Sequence, residues 1–282
     1  MLPAAACLLF GLGLAAPARS ETLACRRVPR VPFTIALPGV YCLARSLATA
    51  SPTGTAITIA ASDVVLDLNG RTLDGSPAGS ATQAIGIGAS GRSNVTVKNG
   101  TVRGFQTGIQ LTSVPGTHGN VVETIRADRN TVVGVSAGGL GVVIRDNLVV
   151  ETGGSTAPAP IGGLRSTGIS AFLAPGGVVS GNQVVNTATP DPGSFDYGIH
   201  AANSNGILIQ ANSVQNPTPS PAFSFGIIVP FSQNAQIVDN RVSDVEVGIS
   251  YSSSATGKYR DNLTDGVATP FDGTGTDAGG NN

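Results

Sequence analysis

Short rows of β-branched residues alternate with Gly, Asn and Pro along most of this chain. A Gly followed by Ile or Val recurs at Gly86-Ile87, Gly108-Ile109, Gly134-Val135, Gly168-Ile169, Gly198-Ile199, Gly226-Ile227 and Gly248-Ile249. An Asn closing a short apolar row recurs at Asn69, Asn99, Asn147, Asn182, Asn212, Asn240 and Asn262. Apolar residues stand three before it at Ile144, Val179, Ile209, Ile237 and Tyr259, and two after it at Val149, Val184, Val214 and Val242. Rows so short and of period two predict strands, not helices. Six times the Asn follows the Gly after 13 or 14 residues, whereas the distance from Asn to the next Gly runs from 8 to 21. One arc of each repeat is therefore rigid and the other accepts insertions. Self-similarity of this kind predicts a solenoid whose coils bury Val and Ile only against their neighbours. About eight coils, stacked at roughly 4.8 Å, make a rod on the order of 40 Å long.

The ends divide the chain further. Leu2 to Ala16 is apolar and rich in Ala and Leu, small-residue cleavage patterns follow at Ala16-Pro17-Ala18 and Ala18-Arg19-Ser20, and residues 1–20 read as a secretory signal peptide. No later stretch is long enough to span a membrane, so the mature chain is expected to be secreted or periplasmic. Once Cys7 leaves with the signal, Cys25 and Cys42 form a pair, and in an oxidising compartment a disulfide is expected. Residues 21–50 are expected to be a disulfide-bonded cap, 51–272 the solenoid and 273–282 a loose tail. The insertions carry Pro-rich pieces, at Ala157-Pro158-Ala159-Pro160, Thr189-Pro190-Asp191-Pro192 and Pro217-Thr218-Pro219-Ser220-Pro221. They are expected to form a lip on one side of the rod, the first place to look for a functional surface.

The rows at Pro38-Gly39-Val40-Tyr41-Cys42-Leu43, at Asp63 to Leu73, and from Asn94 to Phe105 continue into the Gly-Ile repeats. Together they resemble the right-handed parallel β-helix proteins of the pectin-lyase-like superfamily over about residues 35–265. The resemblance implies an all-β, right-handed parallel β-helix of an exported bacterial type. The superfamily hosts pectate lyases, polygalacturonases, alginate epimerases and a copper-maturation branch, and fold alone does not choose among them. The Asn-Thr-Asp, Asp-Asp and Arg-Ile-Lys motifs of polygalacturonases are absent. Two His and one Met offer too few ligands for copper.

Composition narrows the function. Gly numbers 38, charged residues make up 12 % and the net charge is −1. These values exclude a disordered chain and disfavour a helical one. They also offer no broad electrostatic grip on nucleic acid or anionic membrane. The outward row two after each Gly is mostly Ser, Gln and Gly, and one cluster breaks it: Phe195-Asp196-Tyr197-Gly198-Ile199-His200. Alternation points Ile199 inward and His200 outward. Tyr197 and His200, with Arg165 from the preceding coil, form a candidate proton-transfer set beside a neutralised carboxylate. A surface His with a loop Tyr packed on the coil is the structural alternative. Asp196, Phe195, Phe223 and Phe225 are candidate binding residues, since aromatics beside a groove can stack on sugar rings or staple loops to the rod. Asp239 and Asp261 should lie in adjacent coils, as a solvated turn or as a partial Ca²⁺ site. No other metal or cofactor is expected. Two functional readings follow. The first is an exported β-helix that contacts polysaccharide or cell-envelope glycan through its loop-lined side without chemistry. The second is a polyuronate lyase or C5-epimerase acting through Tyr197 and His200.

Overall fold

A computed structural model describes residues 24–158, 165–218, 220 and 222–282. The expected signal peptide lies outside these residues, as do residues 159–164, 219 and 221 of the Pro-rich insertions. The chain winds as a parallel β-solenoid with three ladders. One sheet stacks ten strands, from Phe33–Ile35 to Thr269–Gly273. A second, eighteen-stranded sheet is folded at a corner into two ladders. The ladder before the corner runs from Arg26–Val28 to Thr276–Asp277, and the one after it from Leu47–Ala48 to Leu263–Asp265. Ten stacked strands give about nine turns, close to the expected eight. The only helix among the described residues is the single 3₁₀ turn Ser76–Ala78, and none is long and apolar enough to cross a membrane.

The Gly-Ile rows build the core as their spacing predicts. Ile57, Ile87, Ile109, Val135, Ile169, Ile199, Ile227 and Ile249 are register mates down the ten-stranded sheet, each at most 1 % exposed. From Ile87 on each is preceded by a Gly (Ala56 precedes Ile57), and that Gly is needed for space, because none has positive φ. A Cβ on Gly198 would lie 2.3 Å from Val214 Cγ1 and 2.6 Å from the Gly226 carbonyl oxygen, and on Gly226 2.2 Å from Val242 Cγ1. At this position each strand bends against the next ladder, and only hydrogen fits.

The corner between the two folded ladders carries the Asn row. Asn147, Asn182, Asn212, Asn240 and Asn262 are at most 2 % exposed. Each Nδ2 donates to the next Oδ1 at 2.9–3.0 Å, and Asn281 extends the chain. Asn69 and Asn99 do not join the row. They stand half-buried at positive φ (50° and 58°) while Leu68 fills the interior. Early in the rod, that corner is closed by an apolar side chain. The opposite corner holds a smaller polar stack in which Ser232 Oγ accepts from Ser204 N at 3.0 Å, and Ser204 Oγ accepts from Ala174 N at 3.1 Å.

Both expected ends need correction. Residues 24–50 are not a separate cap: Arg26–Val28 pairs with Gly39–Leu43, and Phe33–Ile35 pairs with Thr55–Ile59, so they open the coil stack. The Cys25–Cys42 disulfide forms within it. Residues 273–282 are not loose. Thr276–Asp277 adds a strand, and Asn282 donates to the Asn262 carbonyl at 3.0 Å, so a Gly- and Asp-rich tail is held by its backbone where side-chain packing is scarce.

The long insertions do gather on one side, between the second folded ladder and the ten-stranded sheet. Thr156 N donates to Ser80 O at 3.1 Å, which joins two loops across coils, and Thr218 N donates to Asn186 Oδ1 at 3.3 Å, which ties a third loop to the strand Gln183–Ala188.

Candidate functional site

Beside that lip, the outer face of the ten-stranded sheet carries the residues singled out above. Strands Arg165–Phe172, Phe195–Ala202 and Phe223–Ile228 lie side by side. Their register aligns Arg165 with Phe195 and Phe223, Thr167 with Tyr197 and Phe225, and Ser170 with His200 and Ile228. Tyr197 and His200 are three apart in sequence, yet both face outward, because the crowded bend at Gly198 resets the alternation. Their rings stack at 5.0 Å and 26°. Phe225 lies 5.6 Å from Tyr197 and 5.2 Å from Phe223, and Phe195 lies 6.2 Å from both Tyr197 and Phe225. The Arg165 guanidinium stands 6.0 Å above the Phe195 ring. Tyr197 is 8 % exposed, while Phe195 and Phe223 remain 38 % and 45 % exposed. The result is one continuous aromatic shelf with a cation at its end.

Electrostatics keep the shelf neutral. Burial lowers the pKa of His200 to about 4, and the Arg165 charge acts in the same direction. Burial raises the Tyr197 phenol, which Asp196 reinforces and Arg165 opposes. Both rings are therefore uncharged at neutral pH.

Asp196 is not on this surface. It is 1 % exposed and faces the insertions. Its Oδ1 accepts from Thr189 N at 2.8 Å, and its Oδ2 accepts from the Ser220 hydroxyl, so one carboxyl ties two loops to the strand that carries Tyr197 and His200. Burial raises its pKa to about 6, with Glu246 adding to the rise and the Ser220 and Thr189 hydrogen bonds opposing it. Sequence reasoning missed Ser220, Ser224 and Glu246 here. Glu246 Oε2 accepts from Ser224 N at 2.7 Å and from the Ser224 hydroxyl. The signal was available: Ser166, Asp196, Ser224 and Glu246 each stand two before a landmark Gly.

The remaining candidates lie elsewhere. Asp239 and Asp261 occupy the same corner position in adjacent coils, both at positive φ, and Asp261 lies 3.6 Å from Arg260. Among the described residues no group of three or more His, Cys, Asp or Glu side chains comes together as a metal site.

Residues 51–214 match the right handed beta helix region family. The chain belongs to this family. No curated protein matches it in sequence. Among solved structures, the Dettilon tailspike protein superposes with a TM-score of 0.60 at 14 % identity, over 91 % of this chain and 59 % of the tailspike. The enzymatically active domain of tailspike protein 2 from bacteriophage CBA120 gives 0.58 at 13 %, over 87 % and 41 %. The A-module of the Azotobacter vinelandii mannuronan C-5 epimerase AlgE4 gives 0.50 at 13 %, over 89 % and 85 %. The β-helix chain thus spans about half the length of the two tailspike chains. At these identities the likeness is one of fold.

Proposed function

We propose that this β-helix chain is an exported protein that binds polysaccharide or cell-envelope glycan. The contact surface is the outer face of the ten-stranded sheet beside the insertions. The observation that carries this reading is the shelf of Phe195, Tyr197, His200, Phe223 and Phe225, with Phe195 and Phe223 open to solvent and Arg165 alongside. An apolar aromatic surface flanked by polar loops suits the faces of sugar rings, and stacking there needs no charge on the ligand. Asp196 supports the shelf by holding the loops that border it. The name of one structural neighbour, a mannuronan C-5 epimerase, agrees with a carbohydrate setting. The test is affinity electrophoresis in gels cast with alginate, pectate or neutral glucans. The parent protein should be retarded by at least one of them, and Phe195→Ala/Phe223→Ala should be retarded less.

A second reading is catalytic. The outward His200 imidazole, neutral at pH 7, can accept a proton from a uronate C5, with Tyr197 beside it and Arg165 available to the carboxylate. This lyase or epimerase reading requires new unsaturated ends, or C5 proton exchange, on alginate or pectate. It also requires that His200→Ala abolish the reaction. Polymer retardation without either reaction leaves the binding reading alone.

A further inference from the structure

The outer face of the ladder that precedes the Asn corner carries a second concavity. It is a trough of about 620 Å³ over strands Ala235–Val238, Gly257–Arg260 and Thr276–Asp277. Gln236, Lys258, Arg260 and Thr276 line its floor, and Asn234 and Thr256 its rim. The rim is ordered: Thr256 Oγ1 accepts from Asn234 N at 3.1 Å and donates to Gln233 Oε1 at 2.9 Å.

The charge pattern of this face changes along the rod. In the first coils one outward column runs Asp67, Lys98, Glu123, Arg145, and its cations are answered by acids in register. Lys98 lies 3.9 Å from Asp67 and Arg145 lies 2.6 Å from Glu123. The same column then turns neutral through Ser180, Gln210 and Val238 before it reaches Arg260. Lys258 stands between Gln236 and Thr276 in the neighbouring column. No carboxylate lines the trough. Arg260 Nε pairs with the exposed Asp261 at 3.6 Å, no ion pair among the described residues involves Lys258, and both cationic side chains are exposed. The two cations are two residues apart on one strand, so they present charge about 7 Å apart on a single face.

We infer that this trough is an anion-reading site for a carboxylated glycan. Lys258, with no acid in the trough, and Arg260, whose one partner is an exposed Asp reached through Nε, together select negative charge. The amide and hydroxyl lining supplies partners for sugar hydroxyls, in a volume larger than a small inorganic anion fills. Two cations are too few for the many-phosphate contact that nucleic acid requires. The inference rests on the polysaccharide reading and adds the charge class of the glycan, with the contact on a different face from the aromatic shelf.

The experiment is calorimetric titration of the full chain with oligogalacturonate, a neutral gluco-oligosaccharide and inorganic phosphate, with hydrogen exchange on the same samples. Oligogalacturonate should bind and protect the strand Gly257–Arg260. Binding should weaken about tenfold in Lys258→Gln/Arg260→Gln and again on raising salt to about 1 M, which shortens the screening length to about 3 Å. Lys98→Gln, which removes a paired cation on the same face, should leave binding unchanged. The inference is overturned if the double variant binds as the parent does, if Lys98→Gln weakens binding equally, or if phosphate binds as tightly as the oligosaccharide. Failure of the polysaccharide reading looks different: there Phe195→Ala/Phe223→Ala binds every glycan as the parent does. Both substituted side chains are exposed, and matching urea midpoints will show that the double variant is folded.

Discussion

Replacing Asn212 by Ala probes what closes the coils. The Asn212 side chain makes four hydrogen bonds in a site that is 2 % exposed. Nδ2 donates to Val179 O at 2.9 Å and to Asn240 Oδ1 at 3.0 Å. Oδ1 accepts from Asn182 N at 3.0 Å and from Asn182 Nδ2 at 2.9 Å. Asn182 Nδ2 keeps its bond to Ile144 O and Asn240 Oδ1 keeps its bond from Asn212 N, but Val179 O and Asn182 N lose their partners in a buried corner. At about 1 kcal/mol per net bond, plus the excess cost of two unsatisfied backbone groups, the loss comes to about 4–6 kcal/mol. The comparison is Asn205→Ala, an exposed residue whose Oδ1 accepts one bond, from Gln233 N at 2.8 Å, with an expected cost of about 1 kcal/mol or less. Guanidinium unfolding followed by circular dichroism measures both, with fluorescence as a second probe because solenoids can unfold in parts. Equal costs for the two variants would refute the reasoning and leave the Asn row a bystander of coil packing.

Three further outcomes follow from the same structure. Gly198→Ala places a Cβ against Val214 and the Gly226 carbonyl, so stability should fall by about 1–3 kcal/mol in a urea titration, whereas Gly206→Ala, where nothing lies within 4 Å, should show only the cost of its positive φ. Reducing Cys25–Cys42, which closes a short loop with a sequence separation of 17, should lower stability by roughly 3 kcal/mol, read as the difference in denaturant midpoint with and without reductant. Asp196, raised from 3.8 to about 6, stabilises the fold below pH 4 and loses that contribution as pH climbs to 6, while His200, lowered from 6.5 to about 4, stabilises above pH 6.5 and loses its contribution as pH drops to 4. The two slopes oppose each other, so His200→Gln should become less stable as pH rises through this window and Asp196→Asn less stable as it falls; melting temperatures at several pH values check this, and flat profiles in both variants would rule it out.

The architecture was legible because each coil repeats two landmarks with different physical jobs. The Gly before Ile199 or Ile227 is where a strand turns its backbone against the next ladder, and the Asn is where a corner must satisfy its own amides. Asn69 and Asn99 mimic the second landmark without doing its job, since the apolar row beside them supplies Leu68 for the corner instead. The candidate site was readable only in part. His200 was placed outward by alternation, but the bend at Gly198 that sets Tyr197 against it is a tertiary effect. Asp196 looked like a surface ligand because it stands among aromatics in sequence. Counting two back from each Gly places it instead in a column with Ser166, Ser224 and Glu246, facing the loops. The Gly- and Asn-rich end looked unstructured because its composition lacks apolar residues, yet in a solenoid the preceding coil offers a backbone edge to pair with.

The central claim is that the aromatic shelf is a glycan-binding face, and glycan affinity of Phe195→Ala/Phe223→Ala against the parent tests it most directly. Phe195 and Phe223 are 38 % and 45 % exposed and also pack in the ring cluster, so the variant's unfolding midpoint is measured alongside and affinity is compared where it is folded. With the polymer that retards the parent protein, the account predicts a loss of affinity of about tenfold or more, corresponding to about 1.4 kcal/mol. An unchanged affinity in a folded double variant would contradict it.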